Sequence, residues 1–337
     1  MPKVTVLMPV YNVGPYVEES IKSVLNQTYT DFSILVIDDC STDDTAARVL
    51  SIKDPRIRYE KNPHNLGLAD NLNRGLSLID TEYVARFDGD DLAEPDWLQT
   101  CMGVLESHPE IGICSSGFEW FGTRKGTVFY PERHEDSMCQ MLFGCTVIIP
   151  VFRKAVFDDN NIHYRTSAFP AEDYRVWADC YRVTRVYNNQ KVLFHYRMHA
   201  SQISTEKRQA QIVKKKEVQR VMLEWLNPNM AEDDIRFFID TFIPGKMQTI
   251  DELPEWRKFA DKMVAYNTLG HFDGDALRRR LDRQVDTAAA AAVFDCCFPN
   301  RYTLPGWVRW RKSGYASIYT RKKNMKLFIK SLLMHKR

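Results

Sequence analysis

Ile34-Leu35-Val36-Ile37-Asp38-Asp39-Cys40-Ser41 is an apolar run that ends abruptly in two carboxylates. Unbroken apolar residues without alternation suit a short strand buried on both faces, as in a parallel sheet covered by helices. A polar sequence beginning where such a strand stops marks the edge at which open parallel sheets bind ligands. The surrounding sequence repeats the arrangement. Val4–Met8 leads into Pro9-Val10-Tyr11-Asn12, Arg56–Tyr59 into Asn62-Pro63-His64-Asn65-Leu66-Gly67, and Val84–Phe87 into Asp88-Gly89-Asp90-Asp91. Ile111–Ser115 reads as a further strand. Between these runs, Val17–Leu25, Thr45–Ile52, Leu68–Ile79 and Trp97–Glu106 carry helical spacing, with Val17, Ile21, Val24 and Leu25 on one face. The expected fold is therefore α/β, with a mostly parallel sheet flanked by helices.

Farther on, Val147–Phe152 reads as a strand placed at an edge or bulge by Pro150, and Val192–Tyr196 as a late strand. From about Lys207 the pattern turns helical, over 207–226, 231–243, 255–271 and 275–294. A boundary near residue 205 would separate a catalytic domain, 1–205, from a mainly helical C-terminal region, 206–337.

The 337 residues are 44% apolar, enough for a large core. The opening apolar run is too short for a signal peptide, and no stretch reaches the roughly 18 apolar residues of a membrane span. A cytoplasmic location is expected, with contact at the inner face of the cell membrane through the basic C-terminal end as an addition. The eight cysteines form no CxxC pair, so neither a zinc knuckle nor a redox motif is indicated. Charge is unevenly spread: after Asp295 there are eleven cations and no acid, leaving 35 cations against 44 acids, a net −9, in residues 1–295. An anionic partner is expected at the C-terminal end.

Among the loops, Asp88-Gly89-Asp90-Asp91 offers oxygen ligands of the kind Mg²⁺ or Mn²⁺ takes beside phosphate oxygens, or a solvated Asp-Gly turn. Its spacing excludes an EF-hand, since Leu92 and Gln99 stand where ligands are needed. Asp38 and Asp39 can accept from a base or ribose, or cap the next helix. Tyr11 can stack on a base or fill the core. Glu172-Asp173 opens a helix, where Asp173 can serve as a general base or be an ordinary acidic first turn. Trp177 suits a sugar platform or the core. His199 becomes a candidate imidazole ligand beside an acidic metal site, with His195 nearby.

Taken together, these pieces resemble glycosyltransferase family 2, whose fold is the Rossmann-like GT-A type. The resemblance is carried by Pro9-Val10-Tyr11-Asn12, Leu25-Asn26-Gln27-Thr28, Val36 to Asp43, Asn65-Leu66-Gly67-Leu68-Ala69, Ala85 to Asp91, Ala171-Glu172-Asp173 and Tyr196-Arg197-Met198-His199, from about Val4 to Ser204. It implies an inverting transfer from a nucleotide-sugar donor, usually a UDP-sugar, in cell-surface polysaccharide or lipopolysaccharide assembly. The acceptor would be a carbohydrate or lipid-linked saccharide. Pro9, Tyr11, Asp38, Asp39, Asn65, Gly67 and Asp88 would hold the nucleotide. Asp90, Asp91 and His199 would form the Mn²⁺ or Mg²⁺ site, Asp173 would be the base, and Glu172 and Trp177 would stand on the acceptor side. The chain departs from the family pattern at Cys145 to Pro150, where relatives carry Asn and His, and at Asp70 in the Asn-rich loop. The competing classes are a sugar nucleotidyltransferase, against which the absence of a Gly-rich phosphate loop weighs, and a non-catalytic nucleotide-sugar-binding protein.

Arg321–Met334 places Met325, Phe328, Ile329, Leu332 and Leu333 on one helical face among lysines, with Trp307, Trp310, Tyr315 and Tyr319 upstream. Such a helix suits an anionic membrane surface or packs on its own domain. No nucleic-acid module is present, so no nucleic-acid partner is expected.

Overall fold

A computed structural model describes residues 2–199, 202, 206–299, 302–319 and 321–335, with the side chains of 333–335 left aside. The expected boundary at 205, Ser204, the cations Arg301, Lys336 and Arg337, and the Leu333 side chain lie outside the described residues. The chain divides into two compact units, residues 1–219 and 220–337.

In the first unit the elements run β1 (Val4–Val10), α1 (Gly14–Leu25), β2 (Phe32–Asp38), α2 (Thr45–Ser51), β3 (Ile57–Lys61), α3 (Leu68–Ser77) and β4 (Tyr83–Arg86). Then come β5 (Leu92–Ala93), α4 (Trp97–Ser107), β6 (Ile111–Gly122), β7 (Gly126–Val128), α5 (His134–Met141), β8 (Val151–Arg153), α6 (Ala155–Asp158), α7 (Glu172–Cys180) and β9 (Arg185–Met198). Their strands form one mixed sheet in the order β3-β2-β1-β4-β8-β6-β9-β5, with β7 paired to β6. β1 to β4 are mutually parallel, and β6 is parallel to β9. The reason is the one the sequence gives: β1 is buried along its whole length, and Val17, Ile21 and Val24 of α1 close over the same core as Val4, Val6, Ile34 and Val36. Burying each such side chain is worth roughly 1.5–3 kcal/mol. The α/β class and the mixed sheet flanked by helices expected from the sequence are what the chain adopts.

Two expectations are corrected. The strand near Pro150 is neither an edge nor a bulge, because β8 lies between β4 and β6. Pro150 stands just before it, where a missing N–H removes no ladder bond. The backbone bends at Ile149, with φ of 46°, and the Pro150 carbonyl accepts from Arg86 N at 3.0 Å. The late strand is also longer than Val192–Tyr196. It starts at Arg185 and slips register against β6 near Gly117, and such irregularities hide a strand's period from the sequence. Its far end pairs with β5, setting Leu92 against His195.

The second unit is helical. It includes helices Glu232–Phe237, Leu253–Tyr266, Gly274–Cys297, Leu304–Lys312 and Arg321–His335. Phe238, Phe242, Trp256, Leu277 and Leu281 are buried, and Phe242 stacks on Trp256 at 5.2 Å. Among the described residues no helix is long and apolar enough to cross a membrane.

Candidate active site

Four loops leave the carboxyl ends of β1 to β4 and are stitched together. Asn12, at φ 52°, accepts from Thr42 N at 2.8 Å through Oδ1, and its own N–H donates to Ser41 Oγ at 3.0 Å. A side chain at Gly89 would stand 2.7 Å from Val10 Cγ1, so glycine lets the acidic loop lie against the end of β1. Pro9 sits within β1. Tyr11 is 48% exposed, which removes the core reading and leaves its ring open to a planar partner.

Asp38 and Asp39 are buried, yet neither is an idle charge. Asp38 Oδ1 accepts from Ser41 N at 2.8 Å and Ser41 Oγ at 2.6 Å, while Oδ2 accepts from Tyr59 OH at 2.6 Å. Asp39 Oδ1 accepts from Asn62 Nδ2 and Leu66 N, both at 2.7 Å, and Oδ2 from Gly67 N at 2.9 Å. Asn65 Nδ2 donates to the Asp39 carbonyl at 3.2 Å. The Asn65–Gly67 turn, with Gly67 at φ 83°, is therefore built around Asp39. A carboxylate has about four acceptor positions, and these bonds fill three of Asp39's. Partial burial, followed by the Asp38 carboxylate beside it, holds the Tyr59 hydroxyl well above its usual range.

β4 carries the feature that joins the two halves of the site. Arg86 is buried; its Nη1 donates to Asp88 Oδ2, and its Nη2 lies 3.3 Å from Asp173 Oδ2. Burial works against this charge, but Asp173 and Asp88 outweigh it and keep the guanidinium protonated. The acidic loop and the start of α7 are thus brought to one place. Asp173 Oδ1 has no hydrogen-bond partner among the described residues. Burial pushes the Asp88 carboxyl up to about 6, against the pull of Arg86. Glu172 is only 5% exposed, and burial, followed by the charge of Asp173, raises it to about 8. At neutral pH it is mainly a neutral acid, in contrast to an ordinary first-turn glutamate.

On the other side of the acidic loop, His199 Nε2 lies 3.0 Å from Asp90 Oδ2, and the imidazole packs 4.7 Å from the Tyr16 ring. Arg197 fixes this end of β9: its N–H donates to Asp91 Oδ1 at 2.8 Å, its Nε to the Asp90 carbonyl at 2.7 Å, and its Nη2 to Glu19 at 2.6 Å. Asp91 is buried and gives Oδ1 to that strand end, while its Oδ2 has no hydrogen-bond partner among the described residues; burial, then the charges of Asp90 and Asp88, raises its carboxyl well above the usual range. Among the described residues no group of three or more His, Cys, Asp or Glu side chains is arranged to hold a metal. One carboxylate oxygen and one imidazole nitrogen, 3.0 Å apart, still fit a Mg²⁺ or Mn²⁺ ion whose other ligands are diphosphate oxygens and water.

Trp177 is corrected. It is 1% exposed and packs edge-on against Phe152 and Phe157, so it is a core residue and no sugar can stack on it. His195 is engaged elsewhere, with Nε2 2.6 Å from Glu94 Oε1. A cleft of about 520 Å³ lined by His108, Glu132, His134 and Arg185 lies at the opposite ends of β6 and β9 and contains none of the residues above. Two residues the sequence left without a role, Arg86 and Arg197, organise the site. Arg86 was detectable: an arginine inside the apolar run Val84-Ala85-Arg86-Phe87 has to find carboxylate partners.

The fold and this array of carboxylates define a GT-A type glycosyltransferase scaffold. Residues 5–170 match the model of "Glycosyl transferase family 2". An uncharacterized glycosyltransferase of Haemophilus influenzae is 32% identical over 219 residues, spanning 60% of this chain and 68% of that protein. In fold, the chain is similar to Staphylococcus aureus TarS residues 1–349, solved with UDP-GlcNAc (TM-score 0.60, 19% identity, 86% of this chain and 90% of that one). It is also similar to the mannosyltransferase PcManGT of Pyrobaculum calidifontis, solved with GDP-Man and Mn²⁺ (TM-score 0.52, 16% identity, 98% and 86%). The chain belongs to glycosyltransferase family 2.

Proposed function

We propose that this glycosyltransferase moves a sugar from a nucleotide-sugar, UDP-linked in our reading, to a hydroxyl of a carbohydrate or lipid-linked saccharide, with inversion at the anomeric carbon. The observation that carries the reading is Arg86, which ties Asp88 of the acidic loop to Asp173 of α7. Donor-side and acceptor-side carboxylates are thereby neighbours.

In this reading the base stacks on exposed Tyr11 and donates to the acceptor position left on Asp39, beside the Asn65–Gly67 turn and the ends of Pro9 and Asp38. Asp88 faces the ribose. Asp90 and His199 hold the divalent cation, with Asp91 fixing the strand end beneath them. That ion supplies neutralisation of the charge that grows on the departing diphosphate. Asp173 takes the proton of the acceptor hydroxyl. The acceptor oxygen bonds to the anomeric carbon as the bond to the nucleoside diphosphate breaks, and the electron pair leaves with the diphosphate. Glu172, as a neutral acid, adds no second negative charge beside that base.

Similar folds that hold UDP-GlcNAc in one case and GDP-Man with Mn²⁺ in another support a nucleotide-sugar donor and a divalent ion. Assembly of cell-surface polysaccharide or lipopolysaccharide on a lipid-linked acceptor, beside the inner face of an anionic membrane, also suits the acid-free end of the chain. The test is thermal stability during titration with UDP, GDP and dTDP, with and without Mn²⁺. UDP with Mn²⁺ should raise Tm most, because a ligand of the folded state stabilises it. If no nucleotide moves Tm, the reading is lost.

A further inference from the structure

The described part of residues 296–337 forms a built surface rather than a loose tail. The helix Arg321–His335 is fixed along one side: Leu327 and Ser331 are buried, and Phe328 packs 4.6 Å from Trp307. Asn324 accepts from Trp310 Nε1 at 3.0 Å and donates to the Ala316 carbonyl at 2.7 Å. Phe328 therefore faces its own unit, which corrects the single apolar face read from the sequence.

The other side of the helix keeps an apolar stripe. Met325, Ile329 and Leu332 follow one another at helical spacing and are 58%, 47% and 40% exposed. Arg321, Lys322, Lys326 and Lys330 are exposed around that stripe, and Val308 and Ile318 are exposed earlier in the same acid-free segment.

We propose that this stripe docks on an anionic lipid surface, with the apolar side chains entering the boundary of the acyl region and the flanking cations meeting lipid phosphates. This deepens the reading of a membrane-side acceptor and rests on it only for its biological purpose. The chemistry selects lipid over the alternatives. A polyanion such as nucleic acid would use the cations but leave three consecutive apolar positions in water. A second copy docking through its own equivalent segment would bring eleven further cations against the same acid-free stretch. A bilayer with anionic headgroups matches both components.

The experiment is co-sedimentation of the full-length protein with phosphatidylcholine vesicles, with and without phosphatidylglycerol, at low and high salt. The protein should bind vesicles containing phosphatidylglycerol and largely release at high salt. Replacing Met325, Ile329 and Leu332 together by Ser should weaken binding by about tenfold or more, and Lys322→Glu with Lys326→Glu should abolish it. Both variants should keep the wild-type Tm rise with UDP and Mn²⁺, which separates this proposal from the nucleotide reading. Wild-type protein that ignores anionic vesicles would overturn it. So would a triple-Ser variant that binds them unchanged, duplex DNA binding that outcompetes vesicles, or a dimer in sedimentation velocity that only the triple-Ser change dissolves.

Discussion

Arg86 Nη2 stands 3.3 Å from Asp173 Oδ2, and the same guanidinium holds Asp88 through its other amino group. One buried cation thus sets the distance between the acidic loop and α7. A buried charge with two partners leaves both stranded when it is removed, a loss typically of about 3–5 kcal/mol. Arg86→Gln should therefore lower Tm sharply and reduce kcat by roughly two to three orders of magnitude. Arg86→Lys, which keeps the charge but cannot fork, should recover much of the stability and little of the rate. Melting curves and transfer kinetics on both variants check this; equal kcat in the two would argue against a positioning role.

Asp90 and His199 form a pair rather than a complete metal cage. Mn²⁺ alone should then hardly shift Tm, whereas Mn²⁺ with a nucleoside diphosphate should shift it more than either separately. His199→Ala should raise the Mn²⁺ concentration needed for half-maximal activity, and Asp90→Ala should abolish metal-dependent donor turnover. A full Tm response to Mn²⁺ without nucleotide would contradict the shared site.

Glu172, raised to about 8 from an ordinary 4.5, gives a pH signature. Across that window the folded state keeps a proton the unfolded state has released, so stability falls as pH rises. Glu172→Gln removes the ionisation. Its stability relative to wild type should climb from pH 5 to pH 8, by about 1–3 kcal/mol at the upper end. Urea denaturation at the two pH values measures the difference; parallel curves would mean Glu172 is already charged.

Asp39 anchors Asn62, Leu66 and Gly67. Asp39→Asn replaces one acceptor oxygen by a donor facing N–H groups, so it should lose about 1–3 kcal/mol of stability. It should also weaken nucleotide binding more than a change at exposed Tyr11. Calorimetric titration with UDP compares the two.

Much of this was legible in the chain. The apolar runs ending at Met8, Ile37 and Phe87, with the alternating Arg56–Tyr59, gave the parallel half of the sheet, its ligand edge and the candidates Asp39 and Asp90, because burial on both faces leaves an unbroken apolar signature, while Asp173 was read from the acidic start of a helix. β5 escaped detection because two residues have no period, and the start of β9 because its bulges break the alternation. Tyr11 and Trp177 show the limit of residue type: the exposed ring and the buried one differ through neighbours such as Phe152 and Phe157 that no spacing reveals. Arg86 was visible as an anomaly, but its second partner, Asp173, depends on how α7 returns to the sheet.

In the proposed mechanism Asp173 is the acceptor's base and is separate from donor binding. The most direct measurement is sugar transfer by Asp173→Asn, with UDP affinity in the presence of Mn²⁺ recorded on the same protein. Near-wild-type UDP affinity is expected, with transfer reduced by about 10²–10⁴-fold. Transfer at the wild-type rate, with the nucleotide still bound, would contradict it.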